Sequence, residues 1–165
     1  MVLTLTITSM IRQSFTLDNY DWHITVFYAV HGYFVDEIME ALTAIGVRGR
    51  KARRAYMNLS SGNVNTGLTY AKDGQAVCVI GKASSAAQYA DSIQHEVMHL
   101  AKFIGKAERL DPYGEEVCYI GGEIARKMWT KSKMLTSECG CYGSPTLKAH
   151  SFRGGMKTQT DAGRY

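Results

Sequence analysis

Residues 68–105 read LTYAKDGQAVCVIGKASSAAQYADSIQHEVMHLAKFIG, and the fold turns on the change of period inside this stretch. Leu68–Ala71 and Ala76–Ile80 flank Lys72-Asp73-Gly74-Gln75, whose Asp-Gly step is a strong short-range signal for a β-hairpin. The second arm, AVCVI, is almost wholly apolar, as expected of a central strand, and Gly81 releases it into a loop. From Ser85 the period becomes helical. Ala90, Ile93, Val97, Leu100, Ala101 and Ile104 fall on one face, and Gly105 is the expected stop. A hairpin followed directly by a long amphipathic helix predicts an α+β domain.

Upstream, Val2–Thr8 alternates and predicts a strand. Trp22–Val30 (WHITVFYAV) is dense in aromatic and β-branched residues and predicts a buried one, punctuated by Asn19, Asp21 and Gly32. From Phe34 the spacing of Val35, Ile38, Met39, Leu42 and Ile45 predicts a helix ending at Gly46. A second helix is expected over Arg48–Leu59. Its basic run (Arg48, Arg50, Lys51, Arg53, Arg54) reads as a solvated face in preference to a phosphate contact. Downstream, Asp111 is positioned to cap a last helix and Pro112 suits its first turn. Val117, Cys118, Gly121, Ile124, Ala125 and Met128 form its expected apolar side. The expectation is a small sheet with about four helices in residues 1–131, followed by a basic, loosely ordered tail over 132–165.

Composition agrees with one globular domain. The chain has 165 residues, 45% hydrophobic and 21% charged, enough for a core without disulfide or metal stapling. No window approaches the roughly 18 apolar residues of a membrane span, which argues against a membrane role. The amino end reads as a strand in preference to a signal peptide, so a cytoplasmic location is expected. Charge is uneven: residues 126–165 carry eight Lys/Arg against Glu138 and Asp161, whereas the other 125 residues carry eleven against thirteen acids. A basic tail on a near-neutral body is more often a solubilising extension than a nucleic-acid contact.

The chemistry lies in His95-Glu96-Val97-Met98-His99, a His-Glu-x-x-His motif inside a well-patterned helix. Positions i and i+4 point the same way, so His95 and His99 offer two imidazoles to one ion. Glu96 is rotated by roughly 100° from His95 and is expected to flank the ion's open position, where a general base stands. Chance supplies such a motif about 0.007 times in a chain of this composition. Catalytic zinc takes three protein ligands and a water. Glu115, Glu116 and Glu123 on the next helix and His150 in the tail are the candidates for the third. Glu115, on the flank of the Cys118/Gly121/Ala125 face, is preferred, with Glu116 as its main competitor. Gly121 and Gly122 are expected to let this helix approach the motif helix closely.

The motif helix, a glycine turn and a helix beginning GEEVCYIGG resemble the small metallopeptidase-like proteins of bacteriophages and prophages, including those of gut bacteria; the arrangement is also similar to a compact gluzincin. The resemblance runs from about Asp21 (DWHITVFYAV, VDEIMEAL, RRAYMNLSS, NTGLTY) through Trp129, and only its HExxH part is strongly specific. It implies a minimal zincin-like core, zinc as cofactor, and His95, His99 and Glu115 as ligands, in the cytoplasm of a bacterial host. Fifteen residues separate His99 from Glu115, fewer than in large gluzincins, which predicts little room for a developed cleft.

Other features carry less. Cys139-Gly140-Cys141 with His150 lacks a fourth ligand and reads as free thiols. His23 and His31 flank an apolar strand and read as structural. Tyr113 and Tyr119 are minor candidates for oxyanion donors. The expected function is a zinc metallopeptidase, a hydrolase acting on a peptide or protein with Glu96 as general base. The alternative is a catalytically silent binding module, with structural zinc or none, touching a partner or nucleic acid through its basic segments.

Overall fold

The computed structural model describes residues 10–30, 34–61 and 67–138. Its elements run β1 (Ile11–Thr16), β2 (His23–Val30), α1 (Val35–Ala44), α2 (Gly49–Ser60), β3 (Gly67–Lys72), β4 (Gln75–Gly81), α3 (Ala86–Ala107) and α4 (Glu115–Glu138). The four strands form one mixed sheet in the order β1-β2-β4-β3, so the chain is an α+β protein. β2 pairs with β4 in parallel, and β1 and β3 add antiparallel at the edges. A parallel pair needs a long crossover, and α1, α2 and β3 supply it.

Both faces of the sheet are covered. Ile24, Val26 and Tyr28 of β2 and Ala76, Cys78 and Ile80 of β4 pack against α3 and α4 through Val97, Leu100, Ile104, Ile120, Ile124 and Met128. The alternate residues Phe27, Val30, Val77 and Val79 pack on α1 and α2 through Ile38, Leu42, Ala55 and Leu59. Burial on both faces is why HITVFYAV and AVCVI are apolar runs and not alternating patterns. The hairpin turns at Asp73 and Gly74, both with positive φ.

Several expectations need correction or placement. β1 escapes the sequence reading because IRQSFT mixes Arg, Gln and Ser into its alternation, and only Ile11, Gln13 and Phe15 are even half-buried. Gly105 does not stop α3; it is buried, and a Cβ there would lie 2.7 Å from Val117 Cγ2. The helix runs on to Ala107 and is closed by a left-handed residue beyond it. Arg109 takes φ +57°, its N donates to Lys106 O at 3.3 Å, and Leu110 N donates to Gly105 O at 2.8 Å. Asp111 caps a turn, accepting from Tyr113 N at 3.0 Å, and α4 begins only at Glu115. Its buried stripe is Val117, Ile120, Ile124 and Met128, with Cys118 exposed, so the face is rotated from the expected one. Finally, α4 continues past Lys131 to Glu138, with Ser132 buried and Leu135 packed on the core. The expected boundary at 131 therefore cuts through a packed helix. The strand expected at Val2–Thr8, His31 and the tail beyond Glu138, with Cys139, Cys141 and His150, lie outside the described residues.

Polar contacts fasten the β1–β2 turn to α4. Asp18 pairs with Lys127 at 2.6 Å and Arg126 at 3.4 Å, and its backbone N donates to Glu123 Oε1 at 2.7 Å. The Lys127 hydrogen bond, followed by its charge and that of Arg126, holds the Asp18 carboxyl below the usual range.

Candidate functional site

α3 is built to present its motif. Ser85 caps it, its hydroxyl accepting from Gln88 N at 3.1 Å, while Gln88 Oε1 accepts from Ser84 N and Oγ. This N-cap fixes the register in which Val97, Leu100, Ala101 and Ile104 face the sheet and His95 and His99 face outward. The two imidazoles meet edge to face, with Nε2 atoms 3.1 Å apart. The separation is that of a direct hydrogen bond between the two rings; two nitrogens bound to tetrahedral zinc at about 2.0–2.1 Å would stand about 3.3–3.4 Å from each other. Phe103, one further turn along, stacks on His99 with ring centroids 6.1 Å apart.

Glu96 lies elsewhere than the sequence predicts. It is 2% exposed and points into the seam between α3 and β3, where Thr69 Oγ1 donates to its Oε2 at 2.5 Å. Gly67 makes this seat. A Cβ at that position would stand 2.7 Å from Glu96 Cγ, 2.8 Å from its Cδ and against the Val79 carbonyl. Cys78 adjoins the same seam. Burial pushes its thiol up, and the Glu96 carboxylate adds to that, so Cys78 remains a neutral thiol. Thr69 and Gly67 are site residues that sequence reasoning does not reach. The available signal is NTGLTY itself, a glycine and a small hydroxyl residue entering an edge strand ahead of the motif helix.

The expected third ligand is not gathered at the histidines. Glu115 is exposed and accepts from the Tyr119 hydroxyl at 3.1 Å; it starts α4 on the side away from the Val117/Ile120/Ile124 stripe. The displacement follows from the rotated face of α4. Glu116 is also exposed, and Glu123 is engaged by Asp18 N and by Lys127 at 3.5 Å. Among the described residues no three His, Cys, Asp or Glu side chains stand together as a metal-binding group. Of the minor candidates, Tyr113 is 95% exposed on its turn, Tyr119 is committed to Glu115, and His23 is exposed at the start of β2.

Beside the motif helix runs a groove of about 720 Å³, bounded by α2, β3 and Phe103. Fifteen residues between motif and α4 thus coexist with a sizeable groove, because α2 forms its wall and not the α3–α4 connection. Among the described residues no helix is long and apolar enough to cross a membrane. No known protein family, characterised protein or solved structure matches this chain.

Proposed function

We propose that the chain is a zinc-dependent hydrolase of peptide-like amide bonds. The observation that carries this reading is the convergence of His95 and His99 Nε2 at 3.1 Å on the outer face of α3, with the intervening Glu96 turned into the β3 seam and held there by Thr69. The donor set is two imidazole nitrogens, which suit zinc better than magnesium or calcium. His95 and His99 are the residues that would hold it. The remaining protein ligand, for which the sequence favours Glu115, is not brought to the pair by the described residues. Bound zinc would supply Lewis acidity and a water with pKa near roughly 7. For this chemistry Glu96 must turn out of the β3 seam towards the histidines, where it would take the proton of the attacking water and return it to the leaving amine nitrogen.

A second reading has its own support. The burial of Glu96 under Gly67 is also what a structural strut requires, and a silent binding module would use it so. Metal analysis with a peptide-library digest separates the two. The hydrolase binds about one zinc per chain, loses it in the His95→Ala/His99→Ala double variant, and cleaves peptides. Wild-type protein with neither zinc nor cleavage would establish the module. Glu115→Gln with wild-type zinc affinity would release that residue from the ligand set.

A further inference from the structure

The groove beside α3 is lined by cations alone among its charged side chains. Arg48, Arg50, Lys51 and Arg54 all line it, no acidic side chain does, and none of the four makes an ion pair among the described residues. Their placement is electrostatically uncompensated in a second way. They sit on the first turns of α2, whose N-cap Arg48 makes no side-chain capping bond and whose first turn has no acid. The positive end of the helix dipole therefore coincides with the cation cluster, and each disfavours the other until an anion enters. This excess is local, since residues 1–125 as a whole carry more acids than bases.

The groove also has a direction. Thr69, Tyr70 and Ala71 are consecutive in β3 and all three line it, although successive strand residues point to opposite faces. Thr69 turns towards α3 and Glu96, whereas the Tyr70 hydroxyl reaches the Lys51 carbonyl on α2. The groove therefore follows the edge of the sheet, which β3 forms among the described residues, and not one of its faces. An unpaired strand edge offers backbone donors and acceptors to an extended polypeptide and has nothing equivalent for a nucleic acid.

We propose that this groove is a selectivity site for acidic polypeptide, in which an extended segment lies along β3 and its Asp or Glu side chains meet Arg48, Arg50, Lys51 and Arg54. The proposal rests on the hydrolase reading for its meaning as substrate selection, because Phe103 joins the groove to His99 and Thr69 joins it to Glu96. Binding itself does not depend on that reading.

The test is fluorescence anisotropy on the full chain, with and without zinc. The probes are fluorescein-labelled eight-residue peptides alternating Ala with Glu or Ala with Gln, and a single-stranded oligodeoxynucleotide of matched charge. The Glu peptide should bind at least tenfold more tightly than the Gln peptide and lose that advantage in the Arg50→Glu/Arg54→Glu variant. Arg53→Glu, on the same helix but lining a different hollow with Asp36 and Glu40, should stay within twofold of wild type. All these positions are exposed, so the variants should fold. Equal affinity for the Glu and Gln peptides, an equal loss in Arg53→Glu, no binding of either peptide, or tighter binding of the oligonucleotide than of the Glu peptide would overturn the proposal. Acidic binding without any cleavage would sink the hydrolase reading alone; cleavage that ignores acidic residues would sink the selectivity site alone.

Discussion

The two faces of the sheet are built from different chemistry. Against α1 and α2 the buried set is Phe27, Val30, Val35, Ile38, Leu42, Val47, Ala55, Leu59, Val77 and Val79, hydrocarbon apart from Thr25, which shares the side of β2 that carries Phe27 and meets the Ser14 hydroxyl at 3.0 Å. Against α3 and α4 the core includes Tyr28, Tyr89 and Cys78, and Ser92, Glu96 and Ser132 are buried there too. Tyr28 illustrates how such groups are accommodated: its hydroxyl donates to Gln13 Oε1 at 2.6 Å, and burial pushes its ionisation well upward, so it stays neutral. A hydrocarbon layer is stable without specific orientation, whereas a buried carboxylate is tolerated only where a donor such as Thr69 meets it. The difference teaches where to expect stability and where to expect function, and it can be broken from either side.

The largest effect is expected on the polar side. Glu96→Gln preserves shape and the Thr69 contact yet removes the proposed base, so on the hydrolase proposal turnover should fall by roughly a hundredfold to ten-thousandfold with zinc content unchanged. Steady-state rates on a cleaved library peptide, with metal analysis of the same sample, decide this; retained turnover would make both faces structural. On the hydrocarbon side, Leu42→Ala should cost about 2–5 kcal/mol through lost burial and a residual cavity, with no change in zinc affinity. Denaturant titration measures it, and altered zinc affinity would mean that the two layers are coupled.

Truncation after Lys131 comes next. It removes the carboxyl end of α4 together with Ser132 and Leu135, so urea titration should show a loss of about 1–3 kcal/mol, while truncation after Glu138 leaves every described element intact. Equal stability of the two shortened chains would show that the end of α4 contributes nothing. The smallest effect belongs to Asp18. Because its folded pKa lies below the unfolded value of about 3.9, the contribution is present above that value and disappears as pH falls through the folded pKa. Asp18→Asn should therefore lower the thermal midpoint slightly at neutral pH, and the gap from wild type should close in acid. A gap independent of pH would assign the effect to the backbone bond to Glu123.

How much is legible in the sequence follows from the range of the interactions involved. Ser85 announces α3 because capping is settled within three residues, and Asp73-Gly74 announces the hairpin because its turn is settled within four. β1 stays silent because its partner His23–Tyr28 lies outside any local window and its exposed positions carry no hydrophobic signal. Gly105 misleads for a related reason. A glycine that ends a helix and one that admits Val117 from a second helix are identical in one dimension.

The amino-acid sequence by itself determined the α+β class, the two covered central strands, the helical period of α3 and the shared direction of His95 and His99, since each follows from spacings of two or 3.6 residues. Only the tertiary structure decided that Glu96 is sealed beneath Gly67 and bonded to Thr69, that Glu115 is not gathered with the histidines, and that four cations of α2 line the edge of β3. Those outcomes depend on the rotation of one helix against another and on which strand takes the sheet edge, and packing between distant segments sets both.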